Sequence, residues 1–456
     1  MASTFLTRTP SSAGNRKTFT ISAWVKRGTI SSANSQIIST GVYSSSQLFQ
    51  TFFESDDTLY ISDYTSGGSK SFQLSTNRKF RDTNAWYHIL FAVDTTQGTA
   101  SNRVKVYVNG VQETSFSEAT YPSQNFDCAL NLNQLHTIAN RSGANFEFSG
   151  SMSHFHLCDG TALAPTVFGS TDSTTGEWKI NTSPSVTYGT NGFFILKDGN
   201  SVTDQSGNSN NFTVGGGTLT KTEDNPSNVF ATLNPLHIQG NTNRSITYGN
   251  TRFYTTTTAW GSALSTLGFS SGKFYVEAKI LTLNSSTGYG SIAIQDINAF
   301  GSSGNTDVDL KGNNASAGLG LDYRSGESSL KASNVTVSSN VGNFSNNDII
   351  GMAIDMDNKA LYIHKNGTYY QIGGVTGVPT SGASKTGAIT IPTSIETCAI
   401  GLGSYTSAAD FCYNFGNGYF LSTAVSSAGS NASNNGIFEY DVPAGYTALS
   451  TKGLNI

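Results

Sequence analysis

The sequence predicts an all-β protein built from two antiparallel β-sandwich domains, and three observations support this. Several short stretches alternate between apolar and polar residues with a period of two, as strands with one buried face do. Asn-Gly pairs follow two of these stretches, and both residues tolerate the positive φ angles of a type I′ hairpin. The chain also combines 27 Phe and 20 Tyr with only 12% charged residues, a composition that excludes a disordered chain.

The clearest strand is part of a phrase that occurs twice. RVKVYVNG occupies residues 103–110 and ALYIHKNG occupies residues 360–367, and each follows a short run that ends in Asp. In the first phrase Val104, Val106 and Val108 fall on one face, and Asn-Gly follows at once. The two phrases end 257 residues apart (367 − 110). We therefore expect two sandwiches of related design rather than one large domain.

Other stretches support the same fold class. Residues 19–25 place four apolar side chains on one face and Trp24 on the other, and residues 274–280 repeat the pattern. No convincing amphipathic helix of ten or more residues occurs, so we expect strand content above the usual 20–25%.

Turn-forming residues set the expected domain boundaries. We expect a first sandwich over residues 1–165 and a connecting region with short strands over 166–244. A second sandwich then covers 245–422, and a C-terminal loop and tail cover 423–456. The tail contains Phe438, Val442 and Tyr446. We expect it to pack as a strand and turn against its own chain or a neighbour, so that deletion of 436–456 lowers stability or disrupts assembly.

Charge and hydropathy narrow the classes of partner. The net charge is −4 and the basic residues are scattered, so no nucleic-acid footprint is expected. No apolar run of about 18 residues occurs, so no membrane insertion is expected. The N-terminal segment lacks an apolar signal core, and we expect synthesis in a cytoplasm.

The four cysteines are Cys128, Cys158, Cys398 and Cys412. No Cys-x-x-Cys pair occurs, so a zinc site is not expected and buried free thiols are favoured. A disulfide between Cys398 and Cys412 stays open, since they could face each other on neighbouring strands.

Catalytic and metal-binding patterns are weak. A sandwich-fold glycosidase needs two carboxylates flanking the scissile bond, and no Glu-x-Asp-x-x-Glu stretch occurs. Asp355 and Asp357 precede a turn and are interpreted as capping carboxylates. Glu54, Asp56 and Asp57 are interpreted as a solvated turn. His154 and His156 could share a strand face as a metal pair, although ordinary strand histidines are favoured. No catalytic, metal-binding or cofactor-binding residue is therefore assigned, and we expect no enzyme.

Carbohydrate binding would use exposed aromatic side chains beside amides and hydroxyls. Sugar rings stack on exposed aromatic planes, and side-chain amides and hydroxyls bond to sugar hydroxyls. Trp24 lies opposite an apolar strand face, where it could line an open concave surface, and several tyrosines lie in or beside polar loops. The candidate ligand-binding residues are Trp24, Tyr43, Tyr60, Tyr64, Tyr289 and Tyr323.

Two parts of the chain resemble known families. Residues 18–25, 86–94 and 104–110 resemble the laminin-G or concanavalin-like lectin fold over roughly residues 1–160. Residues 271–280, 349–367 and 411–420 resemble a SPRY domain. The first resemblance implies that Ca²⁺ can bind through loop aspartates, but no spacing identifies a site.

Five further segments resemble virion proteins of tailed phages, especially marine ones, in which lectin-like and SPRY-like domains occur together. They are residues 159–169, 188–198, 204–212, 224–235 and 440–455. This resemblance implies a structural adhesin of a virus particle, such as a tail fibre, spike or capsid fibre, located on the virion.

Three functions follow. The first is a non-catalytic adhesion protein that binds host-surface polysaccharide through lectin-like loops, as a homo-oligomer with a trimer favoured by analogy with phage fibres. The second is a purely architectural component, a capsid decoration or tail collar, whose partners are other virion proteins. The third is a polysaccharide depolymerase, which the missing carboxylate motif disfavours.

Overall fold

The computed structural model describes most of the 456 residues. The described ranges are 4–31, 33–43, 45–142, 146–197, 202–240, 244–256, 261–283, 289–298, 318–324, 327–332, 335–339, 341–405 and 409–455. They divide into two compact units: the first comprises residues 1–221 and 225–227, and the second comprises residues 222–224 and 228–456. Among these residues, no helix is long and apolar enough to cross a membrane.

The first unit is built from short strands. They are β1 (Phe5–Arg8), β2 (Thr18–Arg27), β3 (Ser35–Thr40), β4 (Leu48–Phe53), β5 (Thr58–Tyr64), β6 (Lys70–Lys79), β7 (Trp86–Asp94), β8 (Val104–Val108), β9 (Val111–Glu113), β10 (Phe116–Thr120), β11 (His136–Ile138), β12 (Gly150–Asp159), β13 (Gly169–Thr171), β14 (Trp178–Ile180), β15 (Phe193–Ile195) and β16 (Thr213–Gly216). Single 3₁₀ turns occur at Ala100–Asn102 and Pro165–Val167.

These strands form two antiparallel sheets around one core. The first sheet has the order β10-β6-β5-β4-β3-β11-β1-β16, and the second has the order β15-β12-β2-β7-β8-β9. β13 and β14 pair separately as a two-stranded ribbon. Each sheet contributes one apolar face to the core, for example Phe49 and Ile61 from the first and Ile21 and Phe91 from the second. The unit is therefore a β-sandwich, as the alternation predicted.

The second unit is also all-β. Its strands are β17 (Leu233–Gly240), β18 (Arg244–Thr247), β19 (Arg252–Thr255), β20 (Gly261–Phe269), β21 (Lys273–Leu283), β22 (Tyr289–Asp296), β23 (Gly318–Arg324), β24 (Glu327–Ala332), β25 (Val335–Ser339), β26 (Ile349–Asp355), β27 (Ala360–Lys365), β28 (Thr368–Tyr369), β29 (Gln371–Ile372), β30 (Val375–Thr376), β31 (Ile389–Thr390), β32 (Cys398–Ser404), β33 (Ala409–Asn414), β34 (Tyr419–Phe420), β35 (Thr423–Ala424) and β36 (Thr447–Ala448). 3₁₀ segments lie at Pro379–Ser384 and Gly453–Asn455.

Two larger sheets again enclose the core of this unit. One has the order β17-β20-β32-β22-β23-β24-β25, and the other follows β18-β19-β33-β21-β26-β27-β28, with β31 beside β27 and β36 beside β21. Their facing side chains, such as Ile292 and Leu402 from one sheet and Val276 and Met352 from the other, are buried together. The prediction of two antiparallel sandwiches is thus confirmed.

The Asn-Gly turns lie where the sequence predicted them. Asn109 and Gly110 have φ angles of 48° and 78°, and Asn366 and Gly367 have 49° and 84°. These positive values suit a type I′ turn, so β8 pairs with β9 and β27 pairs with β28 across two-residue loops.

The units extend beyond the boundaries expected from sequence. β15 pairs with β12, and β16 pairs with β1, so much of the expected connecting region belongs to the first sandwich. Asp204 fixes this part of the chain, because its carboxylate accepts the backbone N–H groups of Phe194 (2.8 Å) and Asn210 (2.8 Å). The division between the units falls at residues 221–228. Its position follows from strand pairing between residues distant in sequence, such as β16 with β1.

The C-terminal segment packs on its own chain, as expected, and is part of the second unit. β36 pairs in parallel with β21. Phe438, Val442 and Tyr446 are buried against Tyr275 and Tyr362, on the face of the nine-stranded sheet turned away from the main core. The expected separate tail at 423–456 is therefore a second apolar layer on this sheet.

The structure confirms some of the predictions made for the cysteines and the acidic turns and corrects others. All four cysteines are buried and free, and Cys398 and Cys412 lie in different sheets, so the suggested disulfide is not formed. Asp355 accepts the backbone N–H of Asn358 (2.9 Å) as a turn carboxylate should. Asp57, expected to be solvated, is 0% exposed and pairs with the buried Arg27.

Candidate functional site

The face of the eight-stranded sheet that points away from the core carries polar and aromatic side chains instead of aliphatic ones. Alternate residues of β4, β5 and β6 form this face, because residues between them, such as Phe49, Ile61 and Leu74, point into the core. We call it the tyrosine face and define it by Gln50, Phe52, Tyr60, Ser62, Tyr64, Gln73 and Ser75, together with Tyr43 and Arg141 from the flanking loops.

Three of the tyrosines predicted from sequence meet on this face. Tyr43 lies in the loop between β3 and β4, is 47% exposed and contacts the Tyr64 ring edge-on at 5.7 Å between centroids. The hydroxyl groups of Tyr60 and Tyr64 are 2.8 Å apart. Tyr60 is only 5% exposed, and burial raises the pKa of its hydroxyl above the ordinary value. Tyr43 and the half-buried Tyr64 are therefore the rings that a ligand can reach.

Arg141 completes the aromatic group from the other side. Its guanidinium lies 4.0 Å from the centre of the Phe146 ring and 5.7 Å from that of Tyr43, a cation–π geometry. Its Nη1 donates a hydrogen bond to Oε1 of Gln50 (3.1 Å). Phe146 also packs on Phe52, with centroids 5.8 Å apart. These contacts hold the guanidinium beside the Tyr43 ring.

Side-chain hydrogen bonds connect the polar groups of the face into a network. Tyr60 donates to Oε1 of Gln73 (3.1 Å), and Nε2 of Gln73 donates to Glu118 (2.7 Å). Glu118 also pairs with Lys70 at 3.4 Å, where both side chains are exposed. Because each group constrains the next, the side chains are held in position before any ligand arrives.

Two carboxylates border the face, and both are engaged by neighbours. Glu118 is held as described above. Glu54 accepts hydrogen bonds from the hydroxyls of Thr58 (3.0 Å) and Ser75 (3.1 Å). Both carboxylates therefore bond to neighbouring side chains of the sheet.

Trp24 lies on the other sheet and is covered. It is 4% exposed and stacks on His88, with ring centroids 5.1 Å apart. Trp178 stacks on the opposite side of His88, and its indole N–H donates to Nδ1 of His88 (3.0 Å). The expectation that Trp24 lines an open surface is thereby corrected, because the segment carrying Phe168 and Trp178 closes over this face of the sheet.

The two candidate tyrosines of the second unit have different surroundings. Tyr323 is 5% exposed and packs in the core against Phe344, with centroids 6.1 Å apart. Its burial removes it from the candidate ligand contacts. Tyr289 is half-buried and contacts Tyr405 edge-on at 5.3 Å.

His154 and His156 have different hydrogen-bond partners. A β-bulge interrupts the pairing of β12 with β2 between Ser153 and His156, and His154 has a φ of 46°. Nδ1 of His154 contacts the Ser153 hydroxyl (2.7 Å), whereas Nδ1 of His156 contacts the Tyr188 hydroxyl (2.9 Å). Within the described ranges, no group of three or more His, Cys, Asp and Glu side chains is arranged to hold a metal ion.

Sequence reasoning missed Arg141, Gln50 and Phe146. Alternation on β5 places Tyr60, Ser62 and Tyr64 on one face, so a polar-aromatic surface could have been inferred there. Arg141 carries no comparable signal, because it reaches the face from a loop about 80 residues further along the chain. The assembled surface exposes the Tyr43 ring and parts of the Tyr64 and Arg141 side chains. The polar side chains beneath them are at most 6% exposed and are Gln50, Ser62, Gln73 and Ser75.

Similarity to known proteins covers parts of the chain. No curated protein matches the chain. Among solved structures, the SPRY domain of human HERC1 is similar at 13% identity and a TM-score of 0.28, over 40% of this chain and 96% of that chain. The heptameric SAP-like pentraxin from Limulus polyphemus is similar at 18% identity and a TM-score of 0.26, over 35% of this chain and 71% of that chain.

Domain 4 of AbnA, a GH43 extracellular arabinanase from Geobacillus stearothermophilus solved in complex with arabinotriose, is similar at 18% identity and a TM-score of 0.26. It covers 35% of this chain and 68% of that chain. At these values the structural similarities carry no argument about ligands. Residues 4–168, which include the whole tyrosine face, match the Laminin_G_3 family of the concanavalin A-like lectin/glucanases superfamily.

Proposed function

We propose that the first unit is a non-catalytic glycan-binding module and that its binding surface is the tyrosine face. The observation that carries the proposal is the cluster of Tyr43, Tyr64 and Arg141, which stands partly exposed on the polar face of a sheet in the lectin-like segment. Aromatic rings beside a hydroxyl and a guanidinium suit a sugar, since its C–H face stacks on the rings and its hydroxyls form hydrogen bonds.

The arrangement favours binding over cleavage. Gln73 and Gln50 hold their amides in hydrogen bonds with neighbours, so the surface keeps its shape without a ligand. Glu54 and Glu118 bond to neutral hydroxyl and amide donors, and Glu118 also pairs with Lys70. A rigid, shallow surface of this kind binds one sugar weakly, so useful affinity requires several copies.

The wider role follows from the sequence resemblance alone. Five separated segments resemble tailed-phage virion proteins in the same order, and this supports an adhesion protein of the particle, assembled as a homo-oligomer, with host-surface polysaccharide as ligand. The same resemblance supports a purely architectural role, in which the partners are other virion proteins.

The test is binding of the purified protein to host cells and to their isolated polysaccharide. Tyr43→Ala and Tyr64→Ala each remove a ring that a sugar can reach, and each should weaken binding about tenfold, the effect of one lost aromatic contact. Val111→Ser is the matched control, because Val111 is 63% exposed on β9 in the other sheet and should leave binding unchanged.

The outcomes separate the three functions. Unchanged binding by both tyrosine variants would contradict the assignment of this face. Absence of binding by a folded oligomer would favour the architectural role. Release of reducing sugar from the polysaccharide would establish a depolymerase and overturn the non-catalytic assignment.

A further inference from the structure

The charge of Arg141 is unusual among the side chains of the tyrosine face. In the described part of the chain, Arg141 forms no salt bridge, and its hydrogen bond as a side-chain donor goes to the neutral amide oxygen of Gln50. Its Nε is buried without a hydrogen-bond partner. Burial also lowers the pKa of the guanidinium, although the group stays charged in proteins. A cation that is partly desolvated and unpaired gains more from an added anion than a solvated one does.

The two carboxylates that border the face, Glu118 and Glu54, bond to partners other than Arg141. Glu118 is already paired with Lys70 and bonded by Gln73. Glu54 follows β4 directly, four residues beyond Gln50 or about 13 Å at 3.3 Å per residue, and accepts hydroxyl donors there. Among the described residues, Gln50, Phe146 and Tyr43 contact Arg141 directly. The described part of the face thus presents an uncompensated positive charge beside two reachable tyrosine rings.

We infer that the ligand of the tyrosine face is an anionic sugar whose carboxylate or sulfate group binds Arg141 while the sugar ring packs on Tyr43 and Tyr64. The inference rests on the proposed glycan-binding function and names the class of glycan. The guanidinium is held by Phe146 and Gln50, and a planar fork of donors matches a carboxylate or sulfate with two parallel hydrogen bonds. A neutral sugar would leave this charge unpaired.

The experiment is an array of uronic-acid, sialylated, sulfated and neutral glycans, probed with the intact protein and three variants. Arg141→Gln should weaken binding of anionic glycans by about 10- to 100-fold, the effect of losing a charge-assisted hydrogen-bonded pair. Arg141→Lys keeps the charge but loses the planar fork of donors, so its affinity for anionic glycans should lie between those of the unsubstituted protein and Arg141→Gln. Lys105→Gln on β8 of the other sheet removes the same charge elsewhere in the unit and should change nothing.

Two further readouts identify the role of charge. Binding of the unsubstituted protein should weaken as NaCl rises from about 50 to 500 mM, because salt screens an exposed ion pair, and Arg141→Gln should lose this dependence. Chemical reduction of the carboxyl groups on a bound uronic-acid glycan should reproduce the effect of Arg141→Gln. The sulfated and carboxylated spots decide between the two anions.

Each outcome bears on one of the two proposals. If only neutral glycans bind and Tyr43→Ala abolishes that binding, the anionic-sugar inference is wrong and the glycan-binding function stands. If no glycan binds to the folded protein, both fall. If Arg141→Gln and Arg141→Lys keep full affinity for anionic glycans, another cation is responsible and the inference is overturned.

Discussion

Arg27 and Asp57 are 1% and 0% exposed and form an ion pair at 3.0 Å. Arg27 also donates to the backbone carbonyl of Phe80 (2.6 Å), and Asp57 accepts two hydrogen bonds from Ser31 and one from Arg81. Removal of one member of a buried pair leaves an uncompensated charge and costs about 3–5 kcal/mol. We therefore predict that Asp57→Asn lowers the free energy of unfolding of the first unit by about 3 kcal/mol.

The choice of substitution follows from the backbone. Asp57 has a φ of 76°, which asparagine tolerates but alanine does not, so Asp57→Asn removes the charge without adding backbone strain. Arg27→Met keeps a long side chain at a position where the Arg27 guanidinium lies over the Phe53 ring, 4.7 Å from its centre. The double variant Arg27→Met/Asp57→Asn removes both charges, so it should be destabilised by at least 2 kcal/mol less than the sum of the single variants.

Urea unfolding followed by tryptophan fluorescence measures this change. Three of the four tryptophans, Trp24, Trp86 and Trp178, belong to the first unit, so the signal reports mainly on that unit. A loss of about 3 kcal/mol lowers the melting temperature by roughly 6–12 °C for a unit of this size. Single-variant effects that add to within 0.5 kcal/mol in the double variant would refute the claim that the pair is coupled.

Two other predictions concern stability. Phe438→Ala should destabilise the second unit by about 3 kcal/mol, because Phe438 is 1% exposed and packs edge-on against Tyr275 at 5.0 Å; an unchanged calorimetric transition would show that the C-terminal layer contributes nothing. The first unit should also lose about 2–3 kcal/mol per pH unit on acidification from pH 6 to 4.5, measured as the urea midpoint against pH. Burial lowers the pKa of His88 to about 3, of His136 to about 4 and of His156 well below 6.5, so these three stay neutral in the folded unit and take up protons when it unfolds below pH 6.5. Burial raises the pKa of Asp63 to about 7, so Asp63 releases one proton on unfolding and partly offsets the histidines. A midpoint that rises on acidification would contradict this proton count.

The features predictable from sequence are those set by neighbouring residues. The Asn109-Gly110 and Asn366-Gly367 turns and the alternation around Val104 depend on backbone preference and side-chain period, and the structure confirms them. The domain boundary depends instead on pairings such as Leu6 with Val214. No local pattern indicates such a partner, because a strand as short as β16 has too few residues to show a period.

The burial of Asp57 could not be predicted from sequence, because its partners are also distant in the chain. Glu54, Asp56 and Asp57 form an acidic run that indicates a solvated turn, and Glu54 and Asp56 are indeed partly or fully exposed. Asp57 differs because Arg27, 30 residues earlier, and Arg81, 24 residues later, converge on it. The same applies to the candidate site, where the tyrosines of β5 could be predicted but Arg141 could not, since only folding brings it to Tyr43 and Gln50.

Asparagine side chains join four segments, in two pairs, within the fold. Asn208 donates to the carbonyls of Gly189 (2.7 Å) and Gly192 (3.0 Å), which joins segment 204–212 to segment 188–198. Asn228 donates to Asn435 (2.8 Å) and accepts the backbone N–H of Lys452 (3.2 Å), which joins segment 224–235 to the C-terminal segment 440–455. These side chains are engaged within the chain. Changes to them test folding, whereas changes to Tyr43, Tyr64 and Arg141 test recognition, because those three are partly exposed on the tyrosine face.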